Sequence, residues 1–224
     1  AVAHAHVELV YRGGQLRLLY YEFELGELDP VDLILPVGLA AARPVPDVKA
    51  YTDLLGEAGS TVWILPQSEA PDLLWLGVGA GTLRAADFAA PLQLQLVAAA
   101  GPGHFVMFFT DALGRPQLVM STRDGLDDRD RLSVPAGGHL HCNWAFSLPG
   151  RYRLRFQATG TLRSGSLVTS PPADFFFEVV APPAPRLDLF QTPTNALLLI
   201  LHAYPGLHYV VEHSMDLTKW SPLS

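Results

Sequence analysis

Alternation with a period of two residues governs this chain. In Arg151-Tyr152-Arg153-Leu154-Arg155-Phe156 every second residue is arginine, and Tyr, Leu and Phe lie between. Successive side chains of an extended strand point to opposite faces, so this segment offers one face to water and one to a core. A helix would scatter the same residues around its circumference. Leu92-Gln93-Leu94-Gln95-Leu96 alternates as strictly, and Val7, Leu9 and Tyr11 alternate with His6, Glu8 and Val10. The 19 Gly and 19 Pro are spread along the chain and cut it into many short segments of this kind.

An all-β fold follows, an antiparallel β-sandwich of the immunoglobulin or jelly-roll type. Residues 5–25 read as a hairpin turning at Arg12-Gly13-Gly14-Gln15. Further strands are expected at Thr61–Leu65, Leu73–Gly77, His104–Thr110 and Asp174–Val180, with one short helix at Ala50–Leu55. Trp63, Trp144, Phe146, Tyr152 and Phe156 are expected in the core. Ala181-Pro182-Pro183-Ala184-Pro185 reads as an extended linker, because three of its five residues are proline. The boundaries are thus a two-sheet sandwich over 1–180, a linker over 181–185 and a small β module over 186–224. Arg186–Gln191, Ala196–His202 and His208–His213 read as its strands, too few residues to make a core alone.

A net charge of −7 and the lack of a basic stripe exclude a nucleic-acid partner. No run of 18 apolar residues is present to span a membrane as a helix. The single cysteine, Cys142, rules out an internal disulfide framework and a cysteine-based zinc site. The chain opens at Ala1 without an initiator Met, which reads as the mature end left by signal-peptide removal. A trimmed chain would look the same. The expected location is secreted, extracellular or on the cell surface.

Two His-x-His pairs carry the best chemistry. His4-Ala5-His6 continues to Glu8, and His139-Leu140-His141 continues to Asn143. On a strand, residues two apart share a face, so each pair sets two imidazoles side by side. Leu140, Cys142, Trp144 and Phe146 occupy the opposite, core-facing side. If the two strands are neighbours, His4, His6, His139 and His141, with Glu8, could converge on Zn²⁺ or Cu²⁺. The plainer alternative is that these histidines bond backbone or line a polar face. Cys142 reads as a buried, inert thiol.

Asp124, Asp127, Asp128 and Asp130 form a second candidate, a loop of carboxylates that could hold Ca²⁺. Arg123, Arg129 and Arg131 offset that charge, and a solvated turn is the competing reading. Gly77-Val78-Gly79-Ala80-Gly81 has no strand-turn-helix setting for a phosphate loop and reads as a turn. No Gly-x-Ser-x-Gly elbow, His-Glu-x-x-His or Walker motif occurs, so catalytic and cofactor-binding residues are assigned to none and no enzyme is expected.

Several motifs in order resemble a known family. They are Ala5-His6-Val7-Glu8-Leu9, the run Leu55–Gln67 containing Ser60-Thr61-Val62-Trp63-Ile64-Leu65-Pro66, Leu74-Trp75-Leu76-Gly77, Gly101-Pro102-Gly103, and Gly138-His139-Leu140-His141-Cys142-Asn143-Trp144-Ala145-Phe146 running into Pro149-Gly150-Arg151-Tyr152. Residues 5–180 are similar to the choice-of-anchor M domain, the actinobacterial surface-anchored protein domain. The resemblance implies a surface-displayed β-domain. Family members often sit near metal-type ABC transporters, which implies a metal role for His6, His139 and His141. The first family motif usually reads His-Val-Asp, and Glu8 replaces that aspartate here. The tail from Tyr209 to Leu223 resembles a fibronectin-III-like half found in secreted bacterial proteins, adhesive or structural in kind.

Two functions are therefore expected. The first is a non-enzymatic structural subunit of a bacterial surface filament or layer. Ala196-Leu197-Leu198-Leu199-Ile200-Leu201 is apolar at consecutive positions, so both faces of that strand need cover. A neighbouring copy, another surface protein or the chain's own body would supply it. The alternative is a cell-surface protein that captures zinc, copper or manganese for a transporter. A sugar-binding or adhesive module is a third option, resting on scattered Trp and Tyr.

Overall fold

A computed structural model describes residues 3–223, and it is almost entirely β. The first hairpin pairs β1 (His4–Arg12) with β2 (Gln15–Glu22), followed by β3 (Gly26–Leu28), β4 (Ile34–Val37) and β5 (Ala42–Pro44). After helix α1 (Lys49–Leu55) come β6 (Thr61–Leu65), β7 (Trp75–Gly79), β8 (Leu92–Ala100), β9 (Phe105–Thr110) and β10 (Pro116–Ser121). The body then adds β11 (Arg131–Val134), β12 (His139–His141), β13 (Asn143–Phe146), β14 (Gly150–Thr161), β15 (Leu167–Thr169) and β16 (Ala173–Val179). The tail holds β17 (Arg186–Gln191), β18 (Leu197–His202), β19 (Glu212–His213) and β20 (Ser221–Pro222).

The body strands divide among three sheets rather than the two expected. Their orders are β12-β7-β1-β2-β3, β10-β9-β13-β6-β5 and β11-β8-β14-β16-β4, with β15 pairing β14. Pairing is antiparallel except for β1 with β7 and β16 with β4. The expected Gly13-Gly14 turn is formed. Both glycines have positive φ, +58° and +80°, the conformation that lets a two-residue hairpin follow the twist of its strands.

The inner faces of all three sheets meet in one core. Trp63, Trp144, Phe146, Tyr152 and Phe156 are all buried in it, as the alternation predicts. Arg151, Arg153 and Arg155 point out, and Arg155 forms a two-pronged bond to Asp174 on β16. The chain crosses between sheets at Cys142. Residues 139–146 are therefore two strands, not one: β12 ends the first sheet and β13 enters the middle of the second. A smaller apolar cluster, with Val62, Ile64, Val106 and Phe108, lies on the outer face of the second sheet under α1.

The tail departs from the three strands expected. It makes two separate two-stranded pairs, β17 with β18 and β19 with β20, and the strand expected over 208–213 shrinks to Glu212–His213. None of the described tail residues is buried.

Candidate metal centre

The first sheet has a core face and an outer face, and β1 and β7 show why. Ala5, Val7 and Leu9 of β1 and Leu76 and Val78 of β7 are fully buried on the core side. His4, His6 and Glu8 must then point outward, as must Trp75, Gly77 and Gly79. The register aligns these residues in rows. One row across the sheet reads His141, Gly77, His6, Tyr21 and Glu27, and the next reads His139, Gly79, Glu8 and Leu19. Trp75 pairs with His4 one step further.

β12 and β1 are not adjacent. β7 lies between them, so their backbones are about 9.5 Å apart at the usual strand spacing. Glycine on the middle strand lets their side chains meet above it. A Cβ on Gly77 would sit 2.8 Å from His6 Cδ2 and 2.9 Å from His141 Cε1, and one on Gly79 would overlap the Glu8 carboxylate. The run Gly77–Gly81, expected as a turn, is in its first half a strand whose missing side chains leave a trough for His6, His141 and Glu8.

One donor nitrogen from each of His4, His6, His139 and His141 lies within 4.8 Å of every other. His4 Nε2 is 3.1 Å from both His6 Nε2 and His141 Nε2. Neutral imidazoles cannot satisfy this arrangement among themselves. An imidazole nitrogen either donates one proton or accepts at one lone pair, so His4 Nε2 pairs properly with only one of its neighbours. A cation between the rings removes the conflict, because every nitrogen then offers it a lone pair. Tetrahedral coordination at about 2.0–2.1 Å implies donor separations of about 3.3 Å, close to the 3.1 Å between His4 Nε2 and each of its two neighbours.

Burial and mutual proximity favour the neutral, lone-pair-bearing imidazole at His141 and His4. Burial pushes the His141 imidazolium down to about 4, with His6, His4 and His139 adding repulsion. His4 is lowered for the same reasons, burial first and then His6 and His139, while Glu69 acts against them. Nδ1 of His141 is buried without a well-formed hydrogen bond, with the Leu76 backbone beside it.

Glu8, expected as a ligand, is outside the converging set. Its Oε1 accepts the Gly81 N–H at 2.8 Å, and its Oε2 lies 3.7 Å from His6 Nδ1. His6 thus faces the cluster through Nε2 and a buried carboxylate through Nδ1, the arrangement that orients a ligating imidazole. Trp75 lies flat on the other side, stacked on His4 at 4.3 Å and on His141 at 4.0 Å between ring centroids. Its indole N–H donates to the Gln67 carbonyl, which fixes the ring. A cleft of about 240 Å³, lined by His6, His139, Tyr21, Glu27 and Thr82, leads from solvent to the histidines.

No family model, no curated protein and no solved structure matches this chain. The reading of the histidine site therefore rests on its own residues.

The other sequence candidates behave differently. Asp124, Asp127, Asp128 and Asp130 do not converge; among the described residues the four histidines are the one such set. Asp130 is buried and accepts the N–H groups of Ser121 and Asp127, Asp127 is held by Arg129, and Asp128 faces Arg131. Asp127 and Asp130 are thus taken up by neighbouring backbone and arginine donors, while Asp128 is exposed beside Gln95 and Arg131. Asn143 also serves the fold, bonding the Gln67 N–H, the Phe108 carbonyl and the Thr110 hydroxyl. Cys142 is buried away from the histidines, and burial pushes its thiol up to about 12.

Sequence reasoning missed Trp75, Gly77 and Gly79. The available signal was their period-two spacing, which places Trp75 and two residues without side chains on one strand face.

Proposed function

We propose that this protein is a non-enzymatic binder of one divalent transition-metal ion, Zn²⁺ or Cu²⁺, held by His4, His6, His139 and His141. The observation that carries the reading is His4 Nε2 at 3.1 Å from two other imidazole nitrogens, a contact that only a shared cation satisfies in full. An all-imidazole donor set favours zinc and copper over calcium or magnesium, which prefer oxygen. Four protein ligands close a tetrahedral site and leave no position for a reacting molecule, which supports binding over catalysis. Display at a bacterial surface, and passage of the ion to a transporter, rest on the motif resemblance to the choice-of-anchor M domain.

The test is titration of the metal-stripped protein with Zn²⁺ and Cu²⁺ by calorimetry, beside a His139→Ala/His141→Ala double variant. One ion per chain in the parent, with at least a hundredfold weaker binding in the variant, is expected. Equal binding by both proteins refutes the site.

A second reading, a self-assembling structural subunit, is favoured by the tail. All six residues of β18 are exposed, five of them Leu or Ile.

A further inference from the structure

We infer that the four imidazoles are preset to a tetrahedron, so that the site is built for Zn²⁺ and holds Cu²⁺ only in a distorted geometry. The inference rests on the metal-binding reading and deepens it by choosing between the two ions. Trp75 is the residue that does most to impose the choice.

On nitrogen donors Cu²⁺ ordinarily binds more tightly than Zn²⁺, so a protein that favours zinc must do so through shape. The shape can be read from the ring centroids. A ligating nitrogen at about 2.0–2.1 Å from the ion places its ring centroid about 3.2 Å away. Four rings in a tetrahedron then have all six centroid separations near about 5.2 Å. In the square-planar arrangement that suits Cu²⁺, four separations are about 4.5 Å and two are about 6.4 Å.

The observed separations follow the tetrahedron. His4 lies 4.8 Å from His6 and 5.0 Å from His141, and His6 lies 5.0 Å from His139 and 5.4 Å from His141. His139 and His141 are 5.5 Å apart, and His4 and His139 are 6.2 Å apart. Only the last pair has the length of a square-planar diagonal. The second diagonal would have to be His6 to His141, which is about 1 Å too short for it.

The sheet explains both the arrangement and its stiffness. His6 and His141 flank Gly77 in one row, while His4 and His139 come in from the rows of Trp75 and Gly79 on either side. Flattening the set requires His6 and His141 to move apart, and both are braced. His141 would have to slide off the Trp75 indole, which is stacked on it at 19° and on His4 at 26°. His6 would have to move toward Tyr21, its neighbour in the row, whose ring is stacked at 6.3 Å. On its Nδ1 side stands Glu8, itself held by the Gly81 N–H. Such bracing is what fixes a ligand set in one geometry.

The test strips the full chain of metal and reloads it with Co²⁺, Cu²⁺ or Zn²⁺, beside a Trp75→Ala variant whose fold is checked by circular dichroism. Co²⁺ reports its coordination by colour, and one ion per chain with the intense visible bands of a tetrahedral site is expected. Electron paramagnetic resonance of the Cu²⁺ form should show the reduced parallel hyperfine splitting of a site pulled out of plane. In competition titrations the preference for Cu²⁺ over Zn²⁺ should be at least tenfold smaller in the parent than in Trp75→Ala, where the rings can flatten. A pale six-coordinate Co²⁺ spectrum or an ordinary tetragonal Cu²⁺ signal, with the ions bound, overturns the preset tetrahedron and spares the metal site. These two spectra of the parent decide the geometry even if Trp75→Ala fails to fold. An unchanged ion preference in a folded Trp75→Ala overturns the part given to Trp75. A parent that takes up none of the three ions overturns both readings.

Discussion

Replacing Gly79 by alanine isolates what the glycine strand does. An alanine in a strand is usually better than glycine by about 0.5–1 kcal/mol, because the unfolded chain loses freedom. Gly79 is not in the left-handed region, so its backbone would accept the change. The surroundings would not. The new Cβ overlaps the Glu8 carboxylate and stands 3.1 Å from His6 Nδ1. Glu8 is only 5% exposed and bonded to the Gly81 N–H, so it cannot move aside without breaking that bond. Overpacking of this kind costs about 1–3 kcal/mol, which outweighs the backbone gain. The expected net loss is about 0.5–2 kcal/mol in urea denaturation of the metal-free protein. Displacing Glu8 from behind His6 should also weaken Zn²⁺ binding about 10–100-fold, the usual effect of losing a partner that orients a ligand. Gly81→Ala is the control: its Cβ would lie an ordinary 3.7 Å from Glu8 Oε1, so binding should be unchanged. If Gly79→Ala binds zinc like the parent and is as stable, the trough is not what admits the histidines.

Two further outcomes are expected. Cu²⁺ should quench tryptophan fluorescence through Trp75, whose ring lies on His4 and His141, and Trp75→Phe should remove that quenching; equal quenching in both proteins would contradict the stacked geometry. With chelator present, stability should fall as pH drops from about 6.5 toward 4, because unfolding frees His141 to take the proton that burial denies it. The contribution is intact above 6.5 and spent near 4, and a His141→Gln variant should show a shallower decline over that window.

The sequence was most informative where structure is local. Alternation at Arg151–Phe156 implied a strand with arginines outward, and Gly13-Gly14 implied a tight turn, since each depends on residues beside it in the chain. The tail was less legible: Leu197–Leu201 announced a strand needing cover, but not that strands 17–20 would split into two pairs. Gly77–Gly81 misled for the same reason. Read along the chain, glycines at spacing two are breakers, and only the strands on either side make them a trough.

The His-x-His pairs occupy an intermediate position. Strand periodicity placed each pair on one face, and the apolar set Leu140, Cys142, Trp144 and Phe146 assigned the opposite side to the core. Chain order could not bring His4 and His6 to His139 and His141, which are more than 130 residues away. That was decided by β7, which pairs in parallel with β1 and antiparallel with β12 and puts Gly77 between His6 and His141. Composition and periodicity thus settled what each strand offers to either side, because a side chain's face follows from its own backbone. Which strands become neighbours is a cooperative outcome of packing the whole core, so the convergence of four imidazoles belongs to the tertiary structure alone.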